Sequence, residues 1–157
     1  MNLNLSGRRA LVCGSTQGIG RASAIELAKL GANVTLMARS EEKLKGVLAM
    51  LQNNGSQEHT YLVADFEQSN QVKEVIEKYT AQVLVHILVN NTGGPAAGLA
   101  VNAKHEEFVK AFSNHLLCNH ILMQACVEGM KREKFGRIIN IISTSVKIPL
   151  KNLGVSN

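Results

Sequence analysis

Short apolar runs alternate along the chain with longer segments in which apolar residues recur every three or four positions. The first run, residues 8–13, leads through a glycine-rich turn into a helical pattern over residues 18–30. The same alternation predicts four further strands, at residues 33–37, 60–64, 83–89 and 137–142. The predicted helices between them follow Ser40, run through residues 72–79 and extend from Lys104 to about Arg132.

Strands that alternate with helices are typical of βαβ units, whose right-handed crossovers make the strands parallel and place helices on both faces. The runs are almost wholly apolar, as expected of strands buried on both sides, and His86 interrupts the fourth. The sequence therefore predicts an α/β fold: a doubly wound, Rossmann-type parallel sheet with five strands. With 157 residues, the chain is predicted to form a single domain over residues 1–157.

The composition, 45% hydrophobic and 18% charged, is ordinary for a soluble globular protein. Lys and Arg number 17 against 12 Asp and Glu, and this excess suits an anionic ligand. The densest basic cluster, residues 131–134, is interrupted by Glu133 and is interpreted as a solvated helix end. Aromatic residues make up only 4%, so no stacking platform favours nucleic-acid binding, and no such partner is expected.

Two further features bear on the compartment. The three cysteines, Cys13, Cys118 and Cys126, form no CxxC pair, which favours reduced thiols and a cytoplasmic protein. No apolar run approaches the roughly 18 residues of a membrane span, so no membrane association is expected.

The first strand runs directly into Gly14-Ser15-Thr16-Gln17-Gly18-Ile19-Gly20, within which the first helix begins. Gly14 permits a sharp turn, and Gly18 lets the backbone approach a pyrophosphate without an intervening Cβ. Gly20 lets the helix pack close to the sheet. The free N–H groups of the helix N-terminus then face the phosphates. A tight turn without a ligand is the alternative, but the strand–turn–helix context favours dinucleotide binding.

Four motifs in this order resemble the short-chain dehydrogenase/reductase family over essentially the whole chain. They are the glycine loop, Val63-Ala64-Asp65, residues 88–93 (LVNNTG) and residues 136–143 (GRIINIIS). Among members of the family, the sequences of these motifs are most similar to those of 3-oxoacyl-acyl-carrier-protein reductases. The resemblance implies an adenine contact at Asp65, and cofactor contacts from its neighbour and the loop after the fourth strand: Phe66, Asn91, Thr92 and Gly93. Helix capping by Asp65 and simple turn formation by the later residues are the alternatives.

The end of the second strand bears on the choice of dinucleotide. An acidic residue there bonds the ribose 2′-hydroxyl of NAD, whereas a cation meets the 2′-phosphate of NADP. Ala38 occupies the acidic position, and Arg39 follows with a planar guanidinium that suits phosphate. Ser15 and Ser40 could add hydroxyl donors, whereas Gln17 departs from the arginine of many NADP-type relatives. NADP(H) is therefore favoured over NAD(H), with an exposed, ligand-free Arg39 as the alternative.

The resemblance also implies a catalytic set: a Ser that bonds the substrate oxygen, a Tyr proton donor, a Lys four residues later and an Asn in the fourth helix. Ser143 matches the serine. The tyrosine position, thirteen residues on, holds Ser156, no tyrosine follows Ser143, and the lysine position would be 160. His115 stands in the asparagine position and could relay a proton, with packing against the sheet as the alternative. The predicted catalytic residues are thus Ser143, His115 and Ser156.

Two functions follow as hypotheses. The first is an NADP(H)-dependent oxidoreductase of the short-chain type, acting on a small-molecule or acyl-carrier-linked carbonyl such as a 3-oxoacyl group. The second is a dinucleotide-binding or sensing protein on the same fold without dehydrogenase activity. We further expect a homo-oligomer, dimer or tetramer, and a chain that is the N-terminal part of a longer protein. No metal is expected, because the spacing of the nearest candidates matches no zinc motif: His115, Cys118, His120 and Cys126.

Overall fold

The structure, a computed structural model, describes residues 3–157. Its strands are β1 (Arg9–Cys13), β2 (Asn33–Ala38), β3 (Thr60–Val63), β4 (Ile87–Asn90) and β5 (Arg137–Asn140). Its α-helices are α1 (Gly18–Lys29), α2 (Glu41–Leu48), α3 (Ser69–Thr80), α4 (His105–Phe112) and α5 (Cys118–Arg132). All strand pairs are parallel, in the order β3-β2-β1-β4-β5. The order reverses between β1 and β4, which confirms the predicted doubly wound, Rossmann-type fold.

Two hydrophobic cores flank the sheet, and β1 contributes to both. Ala10 and Val12 join the cluster formed with α1 and α2, whereas Leu11 and Cys13 join the cluster formed with α3 and α5. Successive side chains of a strand point to opposite faces, so a strand covered on both faces must be apolar throughout. This burial explains why residues 10–13 of β1 are all apolar.

Helix α1 packs against the sheet through small residues. Gly20, Ala24 and Ala28, spaced four apart, are its buried positions, whereas Ile19 is 58% exposed and Leu30 is also exposed. Residues four apart share one face of a helix, and the absence of long side chains there lets the helix axis approach β1 closely. The apolar periodicity that predicts α1 is therefore correct about the helix but does not identify its buried face.

The limits of β4 and β5 differ from those predicted. Strand β4 begins at Ile87 rather than Val83, because Val83 N still bonds the Tyr79 carbonyl at the end of α3. Leu84 is instead pressed against Gly129 of α5, so the apolar character before β4 reflects helix packing. Strand β5 ends at Asn140 rather than at residue 142. Helix α2 ends at Leu48 and continues only as tight turns through residue 51.

The fourth predicted helix, expected to be continuous from Lys104 to about Arg132, is divided. A π-helical segment, Ser113–Leu117, lies between α4 and α5. A π turn inserts one residue into the helical repeat and changes the direction of the side chains that follow it, and such distortions are frequent at functional sites. Within residues 3–157, no helix is both long and apolar enough to cross a membrane.

Candidate functional site

A cleft of about 710 Å³ lies at the carboxyl ends of the strands, where open α/β sheets bind ligands. Most of the predicted cofactor residues line it: Gly14, Thr16, Gln17, Gly18, Ile19, Arg39, Asp65, Phe66, Asn91, Thr92 and Gly93. His115, predicted as catalytic, also lines it. Ser15, Gly20, Ser143 and Ser156 are not among its lining residues. The fold therefore assembles most of the predicted cofactor residues and His115, but neither of the predicted catalytic serines, around one cleft.

The glycine loop leaves no room for side chains on its inner side. Gly14 and Gly18 have φ angles of 56° and 54°, a left-handed conformation that favours glycine. A Cβ at Gly14 or at Gly20 would lie 2.7 Å from Nδ2 of Asn91, and a Cβ at Gly20 would also collide with the Gly14 carbonyl oxygen. A Cβ at Gly18 would meet no atom within 4 Å, so this glycine borders open space.

The N-terminus of α1 is open toward this space. The residue before the helix, Gln17, is extended and its side chain makes no capping hydrogen bond, and no acidic side chain lies in the first turn. The first N–H groups of α1 therefore lack a side-chain cap, and the positive end of the helix dipole suits an anion there. Together with the glycine cradle, these donors fit the pyrophosphate of a dinucleotide.

Two polar side chains predicted as cofactor contacts also hold neighbouring backbone segments together. The Asn91 amide donates to the carbonyl oxygens of Cys13 and Gly14, both at 3.3 Å, and so joins the end of β4 to the glycine loop. The Ser15 side chain is fully buried, and its hydroxyl accepts a hydrogen bond from Met37 N at 3.0 Å. The expectation that this hydroxyl reaches a phosphate is corrected, because it is held against β2.

The end of β2 presents basic side chains to the cleft. Ala38 is buried, whereas the Arg39 side chain is 72% exposed and its Nη1 lies 3.9 Å from Oε1 of Glu67. Ser40 accepts a hydrogen bond from Lys43 N at 3.4 Å and caps α2 as predicted, which places Lys43 on the first turn and in the cleft lining. Sequence reasoning did not identify Lys43 as a residue of the cleft, although the first turn of the helix after β2 lies at the carboxyl end of the sheet, where the cleft is.

The loop after β3 is shaped by its own polar groups. Asp65 accepts a hydrogen bond from Glu67 N at 3.0 Å, an Asx turn, and its own N–H donates to Gln71 Oε1 at 2.7 Å. Helix α3 begins only at Ser69, so Asp65 orders the turn before the helix rather than capping it. The turn directs Glu67 into the cleft, a position that sequence reasoning did not identify.

The π-helical segment presents consecutive polar residues to the cleft. The Asn114 amide nitrogen donates to the Phe66 carbonyl at 2.8 Å, when the amide is oriented to face it. His115 Nδ1 lies 2.7 Å from the Thr92 hydroxyl. Burial lowers the pKa of His115, and a hydrogen bond with the Gly93 backbone partly opposes that shift. A neutral imidazole beside the end of β4 can accept a proton or pass one along a hydrogen-bonded chain.

Ser143 and Ser156 belong to a different part of the surface. Ser143 is exposed and its hydroxyl accepts a hydrogen bond from Ser145 N at 3.1 Å. Ser145 in turn donates its hydroxyl to the Ser156 carbonyl oxygen at 3.3 Å. The segment around Ser156 pairs with the loop after β4, where Gly154 N donates to the Gly98 carbonyl oxygen at 2.9 Å. The two serines are therefore linked through one intervening residue, outside the lining of the cleft.

The cysteines are structural. Cys13, Cys118 and Cys126 are free and buried, and burial raises the pKa of each, to about 12 for Cys126. The Cys118 thiol donates to the Phe66 carbonyl at 3.3 Å. Protonated, buried thiols are poor nucleophiles and poor metal ligands. In residues 3–157 no group of three or more His, Cys, Asp or Glu side chains is placed to hold a metal ion.

The sequence profile of the short chain dehydrogenase family matches residues 8–155. The chain belongs to this family. The 3-oxoacyl-(acyl-carrier-protein) reductase FabG of Rickettsia bellii is 38% identical over 141 residues, which cover 90% of this chain and 56% of the relative. The chain thus spans little more than half the length of this curated relative. The family resemblance carried by the four motifs is confirmed.

Solved structures agree with this assignment. The L-sorbose reductase of Gluconobacter frateurii, in complex with NADPH and L-sorbose, has a TM-score of 0.92 at 28% identity, covering 100% of this chain and 60% of that one. A 3-oxoacyl (acyl-carrier-protein) reductase of Agrobacterium tumefaciens with NADP bound has a TM-score of 0.90 at 26% identity, covering 99% and 60%. Both relatives contain an NADP-type dinucleotide, but one is a reductase of L-sorbose and the other a 3-oxoacyl (acyl-carrier-protein) reductase.

Proposed function

We propose that the protein is an NADP(H)-dependent oxidoreductase that transfers hydride to or from a carbonyl or alcohol, with a 3-oxoacyl group as the favoured substrate. The observation that carries the proposal is the cleft at the ends of the parallel strands. There, a glycine cradle and an uncapped helix N-terminus lie beside Arg39, which directly follows Ala38, the residue at the position where an acid would select NAD. The NADP-bound and NADPH-bound relatives support the choice of cofactor.

The residues of the cleft have distinct tasks in this proposal. The backbone of the glycine loop, Gly14 to Gly20, binds the pyrophosphate, while Arg39 and the nearby Lys43 attract the 2′-phosphate. Asp65 bounds the adenine side, and Asn91, Thr92 and Gly93 bound the ribose and nicotinamide side. When bound, the nicotinamide supplies or accepts the hydride.

The proton-transfer groups are proposed from the family motifs and their surroundings. Ser143 bonds the substrate oxygen, and His115, held neutral by burial, relays a proton. Ser156 stands in the tyrosine position, but a serine hydroxyl is much less acidic than a phenol and needs a strong neighbouring base.

The cofactor preference is tested by titrating the full-length protein with NADPH and NADH and following nicotinamide fluorescence. We expect tighter binding of NADPH, and we expect Arg39→Glu to weaken NADPH while leaving NADH unchanged or stronger, because a carboxylate repels the 2′-phosphate and bonds the 2′-hydroxyl. Arg132→Glu makes the same charge change at the exposed end of α5 and is the control. An unchanged NADPH/NADH affinity ratio in Arg39→Glu overturns the assignment.

A dinucleotide-binding or sensing protein without turnover is the second candidate. It is favoured by the position of Ser143 and Ser156 outside the cleft lining and by the absence of a phenol at position 156. The two functions are separated by measuring NADPH consumption by the full-length protein with a panel of carbonyls that includes 3-oxoacyl thioesters. Tight NADPH binding without consumption of any of them supports the sensor, and turnover supports the oxidoreductase.

A homo-oligomer is proposed from an apolar surface on α4 and the π-helical segment. Val109 is 70% exposed and Phe112 is 63% exposed, and Phe108 and Leu116 are exposed beside them. Apolar residues at this helical spacing form one stripe, which a second copy of the chain would bury. Analytical ultracentrifugation of the full-length protein tests this, and we expect the double variant Val109→Lys, Phe112→Lys to sediment as a smaller species than the wild type.

A further inference from the structure

One carboxylate in the cleft has two cationic neighbours from different elements. Oε1 of Glu67, on the loop after β3, lies 2.7 Å from Nζ of Lys110 on α4 and 3.9 Å from Nη1 of Arg39 after β2. All three side chains line the cleft and are partly exposed. The two distances differ enough to distinguish the partners: Lys110 is within hydrogen-bonding reach of Glu67, whereas Arg39 is only at the limit of an ion pair.

The arrangement matters because Arg39 is the proposed ligand of a 2′-phosphate. A bare carboxylate about 4 Å from the guanidinium would compete for its N–H groups and repel the phosphate. Lys110 pairs with the same carboxylate oxygen at a shorter distance, 2.7 Å, and offsets its charge. The guanidinium thus keeps its donors available even though an acidic side chain faces it.

We propose that Lys110 is a positioning residue for cofactor selectivity: by pairing with Glu67, it keeps Arg39 available for the 2′-phosphate of NADP(H). The inference rests on the proposed function, since it concerns the same cofactor site. It adds a determinant on α4, far in sequence from the β2 end where the dinucleotide is usually selected. In this proposal Arg39 does not set the preference for NADP(H) alone, because the charge of the carboxylate beside it depends on the ion pair between Glu67 and Lys110.

Lys110 could instead attract the cofactor phosphates directly, since its own ammonium lines the cleft. The two roles differ in their dependence on Glu67. If Lys110 acts through Glu67, its removal has no consequence once the carboxylate has been neutralised. If it acts directly, its removal weakens binding whether or not the carboxylate is present. A double-mutant cycle therefore distinguishes them.

The experiment measures dissociation constants of NADPH and NADH for the full-length wild type, Lys110→Met, Glu67→Gln and the double variant. Lys131→Met, which breaks an exposed 2.7 Å pair with Glu128 on α5, is the matched control. We expect Lys110→Met to weaken NADPH about two- to fivefold, the range typical of partly exposed charge pairs, with NADH unchanged. An ionic strength of about 0.01 M keeps the screening length near 30 Å and preserves the effect.

In the double variant we expect NADPH affinity equal to that of Glu67→Gln alone, which itself binds as tightly as wild type or more tightly. Persistence of the Lys110→Met effect in the Glu67→Gln background overturns the inference in favour of direct contact. No effect of Lys110→Met, or equal weakening of both cofactors, also overturns it. Wild-type binding of NADH as tight as that of NADPH would instead contradict the proposed function, so the two failures are distinguishable.

Discussion

The hydroxyl of Thr92 lies 2.7 Å from Nδ1 of His115, and this bond joins the loop after β4 to the π-helical segment. The two residues are 23 positions apart, and His115 lies within the π-helical segment Ser113–Leu117. The bond therefore holds a titratable ring at the proposed nicotinamide side of the site.

His115 should titrate below its ordinary pKa of about 6.5, because burial disfavours the imidazolium more than the Gly93 backbone stabilises it. The measurement is the pH dependence of its ring resonances by NMR, with His115→Asn used to assign them. The ring is then expected to be neutral at pH 7. A midpoint at or above 6.5 would mean that the ring is more solvated than the structure indicates.

His86 should make folding stability pH-dependent. Its buried ring accepts a hydrogen bond from Arg9 N at 3.0 Å through Nδ1, and burial together with Arg8 and Arg9 lowers its pKa. A histidine whose folded pKa is depressed contributes stability that is complete above the unfolded pKa of about 6.5 and is lost as the pH falls below it. Urea unfolding from pH 7 to pH 5 should therefore show declining stability.

The variant His86→Gln isolates this effect. Glutamine can accept the same backbone hydrogen bond without titrating, so the decline should be shallower, by at most about 1.4 kcal/mol per pH unit. His115 contributes in the same direction, so some slope should remain in this variant. A slope identical to that of wild type would show that protonation of His86 is not coupled to unfolding.

The fold can be predicted from the sequence because the pattern of apolar residues reports mainly which segments are buried. Residues 10–13 are apolar on both faces of the strand, and a parallel sheet covered by helices on both sides buries both faces. The same signal misplaces the start of β4, because Val85 is buried without being part of the strand. Burial is what hydrophobicity reports, whereas strand limits depend on hydrogen-bond register, which the pattern does not encode.

The site is predicted where backbone chemistry leaves a sequence signal, as with the glycines around Gly18. It is missed where a charge pair forms across the cleft, since Glu67 and Lys110 are 43 positions apart and resemble any solvated pair of charges. The bonded role of the Ser15 hydroxyl is also invisible in sequence, because it depends on the position of the Met37 N–H. Pairings of this kind exist only once the strand order has been set.

Three glycine-to-alanine variants should separate packing from backbone conformation. Gly20→Ala places a Cβ against Asn91 and Gly14, and we expect a loss of about 1–3 kcal/mol in the free energy of unfolding. Gly18→Ala meets open space but must adopt a φ of 54°, at a cost of about 1–2 kcal/mol. Gly46→Ala, unobstructed within α2, is the control and should stabilise by up to about 1 kcal/mol.

Urea unfolding measures all three glycine variants. The Gly20 and Gly18 variants should both weaken dinucleotide binding, the first by displacing the loop and the second by placing a methyl group in the open space beside it. If Gly20→Ala were as stable as Gly46→Ala, the result would show that α1 does not lie as close to Asn91, in the loop after β4, as the structure indicates.

Asn91→Ala should weaken NADPH and NADH by the same factor, in contrast to Arg39→Glu. The Asn91 amide holds the carbonyl oxygens of Cys13 and Gly14, and neither bond depends on the 2′ substituent of the ribose. Each bond contributes about 0.5–1.5 kcal/mol at most, and both are long at 3.3 Å, so we expect about a five- to tenfold loss of affinity. Asn91→Asp should be worse, because a carboxylate would face two carbonyl oxygens and could not donate to either. Parallel titrations with both dinucleotides make the comparison, and a loss confined to NADPH would place Asn91 at the 2′-phosphate rather than beneath the glycine loop.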